Sequence, residues 1–306
     1  MTEARVLRIY LDDVMFDMAK RGEFGFVARV TKAFEEVGFR VELRRNSLAE
    51  RLKSGARQGY SLFHMDDPFH PKSLTIRKSY FFPFWRIEAT AKRWEFNVAR
   101  KPFDPGEIDS DVAMEWYGNW RKWLFKSGPS HAQKTGVVYV PLQGKLLEHR
   151  SFQSMSPIDM IREVQARAGD RHILLGLHPG EVYSDEEMAT LDGLQSSDSR
   201  IAVEVGGMED ALRICDFVIT ENSSAALSGL FFGKPAVLFA ECDFHHQMPR
   251  VSELGVDEAW RQLDVREPDY AEYLYWFVAL NSIKADEEGI AESRILETCA
   301  SYGWQV

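Results

Sequence analysis

Residues 215 to 241 read CDFVITENSSAALSGLFFGKPAVLFAE, two apolar runs on either side of a polar joint. Residues 217 to 221 and 236 to 240 have the length and apolar character of buried strands, and the small-residue segment 223 to 233 between them reads as a helix. Strand, helix and strand in that order form the unit of a parallel sheet. The same rhythm extends toward the N-terminus. VVYVPLQ (137 to 143), HILLGLHP (172 to 179) and IAVEVG (201 to 206) read as strands. Residues 156 to 169, 184 to 194 and 207 to 215 read as the helices between them, with Ser156 and Ser184 as caps and Pro157 in a first turn.

The first third repeats the pattern. Strands are expected at 5 to 13, 40 to 45 and 60 to 67, and an amphipathic helix at 25 to 39. From about Phe69 to Pro129 the rhythm stops, with Pro71, Pro83, Pro102, Pro105 and Pro129 as breakers, so irregular structure and short helices are expected there. After Val251 the pattern is mostly helical. The fold class is therefore α/β, with two Rossmann-like domains: 1–133, carrying an aromatic and basic insertion at about 69–130; 134–285; and a C-terminal helix at 286–306.

A chain of 306 residues exceeds the size at which one core usually stops growing, which agrees with two domains. No apolar run approaches the length of a bilayer span, and the start MTEARVLRIYLDD lacks a signal-peptide core, so a soluble cytoplasmic protein is expected. Cys215, Cys242 and Cys299 have no metal-binding spacing, and reduced thiols with no metal site are expected. The net charge of -10 argues against nucleic acid as a partner. Charge is uneven, however: from Lys72 to Lys134 there are 12 Lys or Arg against 7 Asp or Glu, together with Trp85, Trp94, Trp116, Trp120 and Trp123. That segment suits either a core with charges facing water or contact with an anionic, carbohydrate or membrane surface, the last placing the protein peripherally at the inner membrane.

Ligands of open parallel sheets bind outside the carboxyl ends of the strands. Those ends carry Gln143, then His178 with Pro179 and Gly180, then Glu221, Asn222, Ser223 and Ser224, then Glu241 with Asp243. Ser223 and Ser224 stand where a helix begins and either cap it or, with its free N–H groups, bind a phosphate. His178 could act beside such a phosphate as donor or general acid. There is no P-loop, because GKP at 233 to 235 lacks the upstream glycine and the following Ser or Thr; nor is there a GxGxxG, GxSxG or HExxH motif.

A strand ending in HP, a second of form D-x-V-I-T-x-x-S-S, a small-residue helix and G-K-P-A-V-L-F together resemble the donor-binding domain of bacterial cell-surface glycosyltransferases that use cytidine nucleotides. The resemblance is nearest to capsule and lipopolysaccharide Kdo transferases, with VYVPLQ (138 to 143) adding to it, and it extends to CMP-sugar sialyltransferases and CDP-glycerol glycerophosphotransferases. It covers roughly residues 136 to 245. It implies a GT-B-like fold, two Rossmann-like domains facing a cleft, with the acceptor on the N-terminal one and the nucleotide sugar on the C-terminal one. It implies a metal-independent glycosyltransferase with no cofactor, moving Kdo or a similar acidic sugar from a CMP-activated donor to a polysaccharide or glycolipid acceptor. The alternatives are a CDP-glycerol-type phosphotransferase, a UDP-sugar transferase or epimerase, or a non-catalytic assembly partner. Carried onto this chain, His178 and the Ser223 and Ser224 pair contact the donor phosphate, with Gln143, Pro179, Glu221 and Asn222 beside the nucleotide. Asp66 and Asp67, ending the third expected strand in HMDDPFH (64 to 70), are candidates for the catalytic base or nucleophile, although DDP also reads as a cap and turn. Sialyltransferases carry Gly after their acidic pair where this chain has Pro68. Asp12 and Asp13 are rivals.

Overall fold

A computed structural model of the chain describes residues 4–263 and 269–306. These form two compact units, Met1–Lys101 with Trp276–Val306, and Pro102–Tyr275.

The first unit is built on a sheet with the order β11-β5-β4-β3-β1-β2, where β1 is Val6–Leu11, β2 Arg40–Arg45, β3 Tyr60–His64, β4 Ser73–Lys78, β5 Phe84–Glu88 and β11 Ile283–Lys284. The strands β2, β1, β3 and β4 run parallel, and β5 is antiparallel to both β4 and β11. Leu7, Ile9 and Leu11 of β1 point into one core with Leu62, Leu74 and Ile76, which Val27, Val30 and Phe34 of the helix Gly25–Glu36 cover. The helix Ile290–Ser301 adds Ile295 and Cys299 to the same core. Trp304 stacks on Tyr60 with ring centroids 4.5 Å apart.

Here the structure departs from the expectation of irregular backbone over 69–130. SLTIRK (73 to 78) and FWRIE (84 to 88) are buried strands, and Ser110–Phe125 is a helix of 16 residues. Prolines and clustered aromatics mask the period-2 pattern, because both faces of these strands are buried. The division of the chain also differs from the expected 1–133, 134–285 and 286–306. The helix Ser110–Phe125 stays with the second unit, where Tyr117 stacks on Phe231 at 5.3 Å and donates a hydrogen bond to the Leu230 carbonyl at 3.0 Å. The C-terminal segment from Trp276 instead returns to the first.

The second unit carries a fully parallel sheet in the order β10-β9-β6-β7-β8, with β6 Val137–Leu142, β7 His172–Leu177, β8 Ile201–Val205, β9 Phe217–Thr220 and β10 Ala236–Leu238. Every residue of β6, β9 and β10 is buried, which suits strands covered on both faces. Phe217 and Ile219 face a core with Ile158 and Ile161 of the helix Pro157–Arg167. Val218 points the other way, toward Gly229 and Leu212. The chain starts in the middle at β6, builds outward through β7 and β8, then crosses back to β9 and β10. The direction of winding therefore reverses between β6 and β9, and such a reversal opens a crevice at the carboxyl ends of the two strands.

Candidate functional site

At the carboxyl edge of this second sheet, Ser223 and Ser224 begin the helix Ser224–Phe231. Ser223 is the N-cap: its hydroxyl accepts from the Ala225 N–H at 3.3 Å, and its own N–H donates to Thr220 Oγ1 at 3.4 Å. Capping and phosphate binding are compatible here, because a cap holds one N–H while Ser224 at the first helical position is exposed. The helix mixes small residues with Leu227, Leu230 and Phe231, and a Cβ on Gly229 would make ordinary contacts with Leu212 and Val218 at 3.4 and 3.5 Å.

His178, the residue after β7, is exposed. Its Nδ1 accepts from the Gly180 N–H at 3.1 Å, which places the proton of the neutral ring on Nε2 and leaves that nitrogen a donor. A Cβ on Gly180 would stand 3.1 Å from the exposed imidazole, which would have to shift slightly to admit it. The His178 N–H donates to Tyr183 Oη at 2.9 Å, and that hydroxyl donates in turn to the Leu142 carbonyl at 3.3 Å. Tyr183 thereby ties the ends of β6 and β7 together, a role that HPGEVY did not reveal.

Gln143 and Asn222 are half-buried, and Pro179 is exposed. Asn222 donates to the Glu241 carbonyl at 3.0 Å and braces the ends of β9 and β10. Glu221 is buried, and neither of its carboxyl oxygens has a hydrogen-bond partner among the described residues. Burial pushes its carboxyl up to about 8, with Arg150 pulling the other way, so at neutral pH it is mostly an uncharged acid.

Lys234 of GKP lies elsewhere. Its buried ammonium donates to the carbonyls of Gln133 and Cys215 at 2.7 and 2.6 Å, at the opposite end of β9. It is a tie between backbone segments.

The candidate carboxylates Asp66 and Asp67 belong to the first unit and follow β3. Asp66 accepts from both Asn46 Nδ2 and Arg51. Asp67 is exposed and uses Oδ1 alone, accepting from the Ala91 N–H at 2.6 Å and Thr90 Oγ1 at 3.4 Å. Asp12 caps the helix Asp13–Lys20, and Asp13 pairs with Arg45. His64, which HMDDPFH contains but which carried no role in the sequence, lies with Nδ1 3.4 Å from Asp12 Oδ2 among Phe24 and Trp85. Among the described residues no three His, Cys, Asp or Glu side chains gather as a metal site. None of the described helices is long and apolar enough to cross a membrane.

No protein-family model matches the chain, and no curated protein matches it. Solved structures do. The beta Kdo 2,7 transferase KpsC of Thermosulfurimonas dismutans aligns over 95% of this chain and 99% of its own, with 14% identity and a TM-score of 0.54. MnaA of S. aureus, solved with UDP, aligns over 98% and 97% at 12% identity and a TM-score of 0.37. The putative UDP-N-acetylglucosamine 2-epimerase of Listeria monocytogenes aligns over 99% and 98%, again at 12% identity and a TM-score of 0.37. At 14% identity the likeness to KpsC is one of fold, two Rossmann-like α/β units of the GT-B-like class.

Proposed function

We propose that the chain is a glycosyltransferase that moves Kdo or a similar acidic sugar from a CMP-activated donor to a surface polysaccharide or glycolipid acceptor. The observation that carries this reading is the convergence of His178 Nε2 and the Ser223–Ser224 helix start at the carboxyl edge of one parallel sheet, on either side of the strand end that holds Gln143. Two donors of different chemistry, one a helix N-terminus, suit a phosphate, and the resemblance of the HP and TENSS segments to cytidine-nucleotide transferases supplies the nucleotide.

In this reading the N–H of Ser224 and the hydroxyls of Ser223 and Ser224 hold the phosphate. His178 donates from Nε2 to the phosphate oxygen that gains charge as the bond to the anomeric carbon breaks. Asp67, whose Oδ2 makes no hydrogen bond among the described residues, takes the proton of the acceptor hydroxyl as the new C–O bond forms. Asp66, held through both oxygens, positions the turn. No step requires a metal.

The test is a thermal-shift series with CMP, CDP and UDP on the full chain. CMP at millimolar concentration is expected to raise Tm by several degrees, since saturation at a hundredfold excess over Kd adds about 2.7 kcal/mol. The shift should fall sharply in Ser223→Ala, and His178→Ala should lower transfer by about 100-fold or more while staying folded. An unchanged Tm with CMP would sink the reading, and a larger shift with CDP or UDP would move it to the corresponding donor.

A further inference from the structure

Where the winding of the second sheet reverses, a narrow crevice is lined by Pro141, Leu142 and Gln143 at the end of β6, by Thr220 and Glu221 at the end of β9, and by Arg150. Glu221 is only 6% exposed, yet both its oxygens lack a hydrogen-bond partner among the described residues. A buried polar group left without a partner costs on the order of 1–3 kcal/mol, so an isolated case calls for a reason. This one is not isolated. Arg150, which lines the same crevice, has an Nε that is likewise buried and unpaired among the described residues.

Backbone pairing sets them together. Gln153 bridges Ala240 in antiparallel fashion, and the Ala240 N–H donates to the Glu221 carbonyl at 3.1 Å. The segment carrying Arg150 and Gln153 is thereby fixed beside the end of β10, and Arg150 lines the same crevice as Glu221. Burial keeps the Glu221 carboxyl protonated near neutral pH. Its O–H and the Arg150 Nε–H are then both unused donors lining one crevice, with a single positive charge between them. Other charged or titratable groups at these strand ends are His149 and Glu187 near the segment after β6, His178, Glu181 and Tyr183 after β7, and Glu241 and Asp243 after β10.

We propose that this crevice is an oxyanion subsite, in which Glu221 and Arg150 together receive one negatively charged oxygen group of the ligand. The inference rests on the reading that these strand ends bind a nucleotide-activated acidic sugar, and within it the group is either a phosphate oxygen or the sugar carboxylate. A protonated carboxyl donates to such an oxygen, whereas an ionised one repels it, so binding carries the Glu221 proton with it.

The experiment is calorimetric titration of the full chain at pH 7.5 and 9.5 with inorganic phosphate, CMP and free Kdo, using wild type, Glu221→Gln and Glu221→Leu. In wild type, at least one probe should bind tenfold or more weaker at pH 9.5. Glu221→Gln, which keeps a donor and cannot ionise, should bind that probe within about twofold at both pH values, and Glu221→Leu about tenfold weaker at pH 7.5. Phosphate or CMP behaving this way identifies the group as phosphate; Kdo behaving this way identifies the sugar carboxylate. If phosphate or Kdo follows the pattern and CMP does not bind, the subsite stands and the nucleotide reading falls. If CMP binds wild type and both variants alike with one pH profile, the nucleotide reading stands and the subsite is overturned. Binding that tightens at pH 9.5 and is lost in Glu221→Gln overturns it too, because the ionised carboxylate is then gripping a hydroxyl or amine. Absence of binding by all three probes also overturns it.

Discussion

Glu221 is a buried carboxyl of the second unit whose oxygens have no hydrogen-bond partner among the described residues. Its proton affinity in the folded state lies far above the ordinary value of 4.5, because burial penalises the carboxylate more than Arg150 stabilises it. The folded state therefore holds a proton that the unfolded chain gives up, and stability falls as pH rises from the ordinary value through about 8. Each tenfold difference in proton affinity is worth about 1.4 kcal/mol, so the loss by pH 9 reaches a few kcal/mol. Glu221→Gln should remove that slope, being close to wild type at pH 5 and more stable by a few kcal/mol at pH 9 in urea denaturation. Parallel curves for the two proteins from pH 5 to 9 would show that the carboxyl is solvated. In the sequence Glu221 was visible as a polar residue at the end of an apolar strand; its burial without a hydrogen-bond partner among the described residues follows from the strands on either side of it.

Local and long-range signals meet at the level of elements. SDEE at 184 to 187 reads as a cap, and the helix Asp185–Ser197 opens with a complete capping box: Ser184 Oγ accepts from the Glu187 N–H at 3.2 Å and Glu187 Oε2 from the Ser184 N–H at 2.7 Å. The other Glu187 oxygen accepts from the Leu146 N–H, so the helix also anchors the segment that follows β6. Burial alone would raise this carboxyl, but the N–H groups of Ser184 and Leu146 hold it below its ordinary value of 4.5. The stability it contributes is present above that value and is lost as pH falls through the lower folded-state value. Glu187→Ala should cost about 1–3 kcal/mol at pH 7 and loosen the segment beginning at Gly144, read as faster amide exchange at Leu146. A loss confined to the helix, with Leu146 unaffected, would mean that the anchor carries no weight. The half of this arrangement that spans three residues was legible; the half that spans forty-one was not.

At the scale of the whole molecule, the C-terminal segment helps close the first unit. Arg29 pairs with Glu292 at 3.0 Å, the Tyr302 hydroxyl donates to Glu88 at 2.8 Å, and Trp304 fills the space between Phe34 and Tyr60. Trp304→Ala should therefore destabilise the first unit by about 3–5 kcal/mol, as a core substitution near the N-terminus would, with the second unit's transition unchanged in calorimetry. A shift under 1 kcal/mol would deny the segment that role. The sequence by itself determined the alternation of strands and helices at both ends of the chain and the polar joints at Gln143, His178 and Glu221 to Ser224. Those follow from the hydrophobic period, from caps and from breakers, which act within a few residues. It is the assembled fold that sets 73 to 88 as two further strands of the first sheet, joins the segment after Trp276 to the same unit, and brings Arg150 to the crevice that Glu221 lines. Each of these depends on pairing between residues distant in the chain, where the free energy comes from a partner's buried surface and hydrogen bonds, and no local pattern encodes which partner that is.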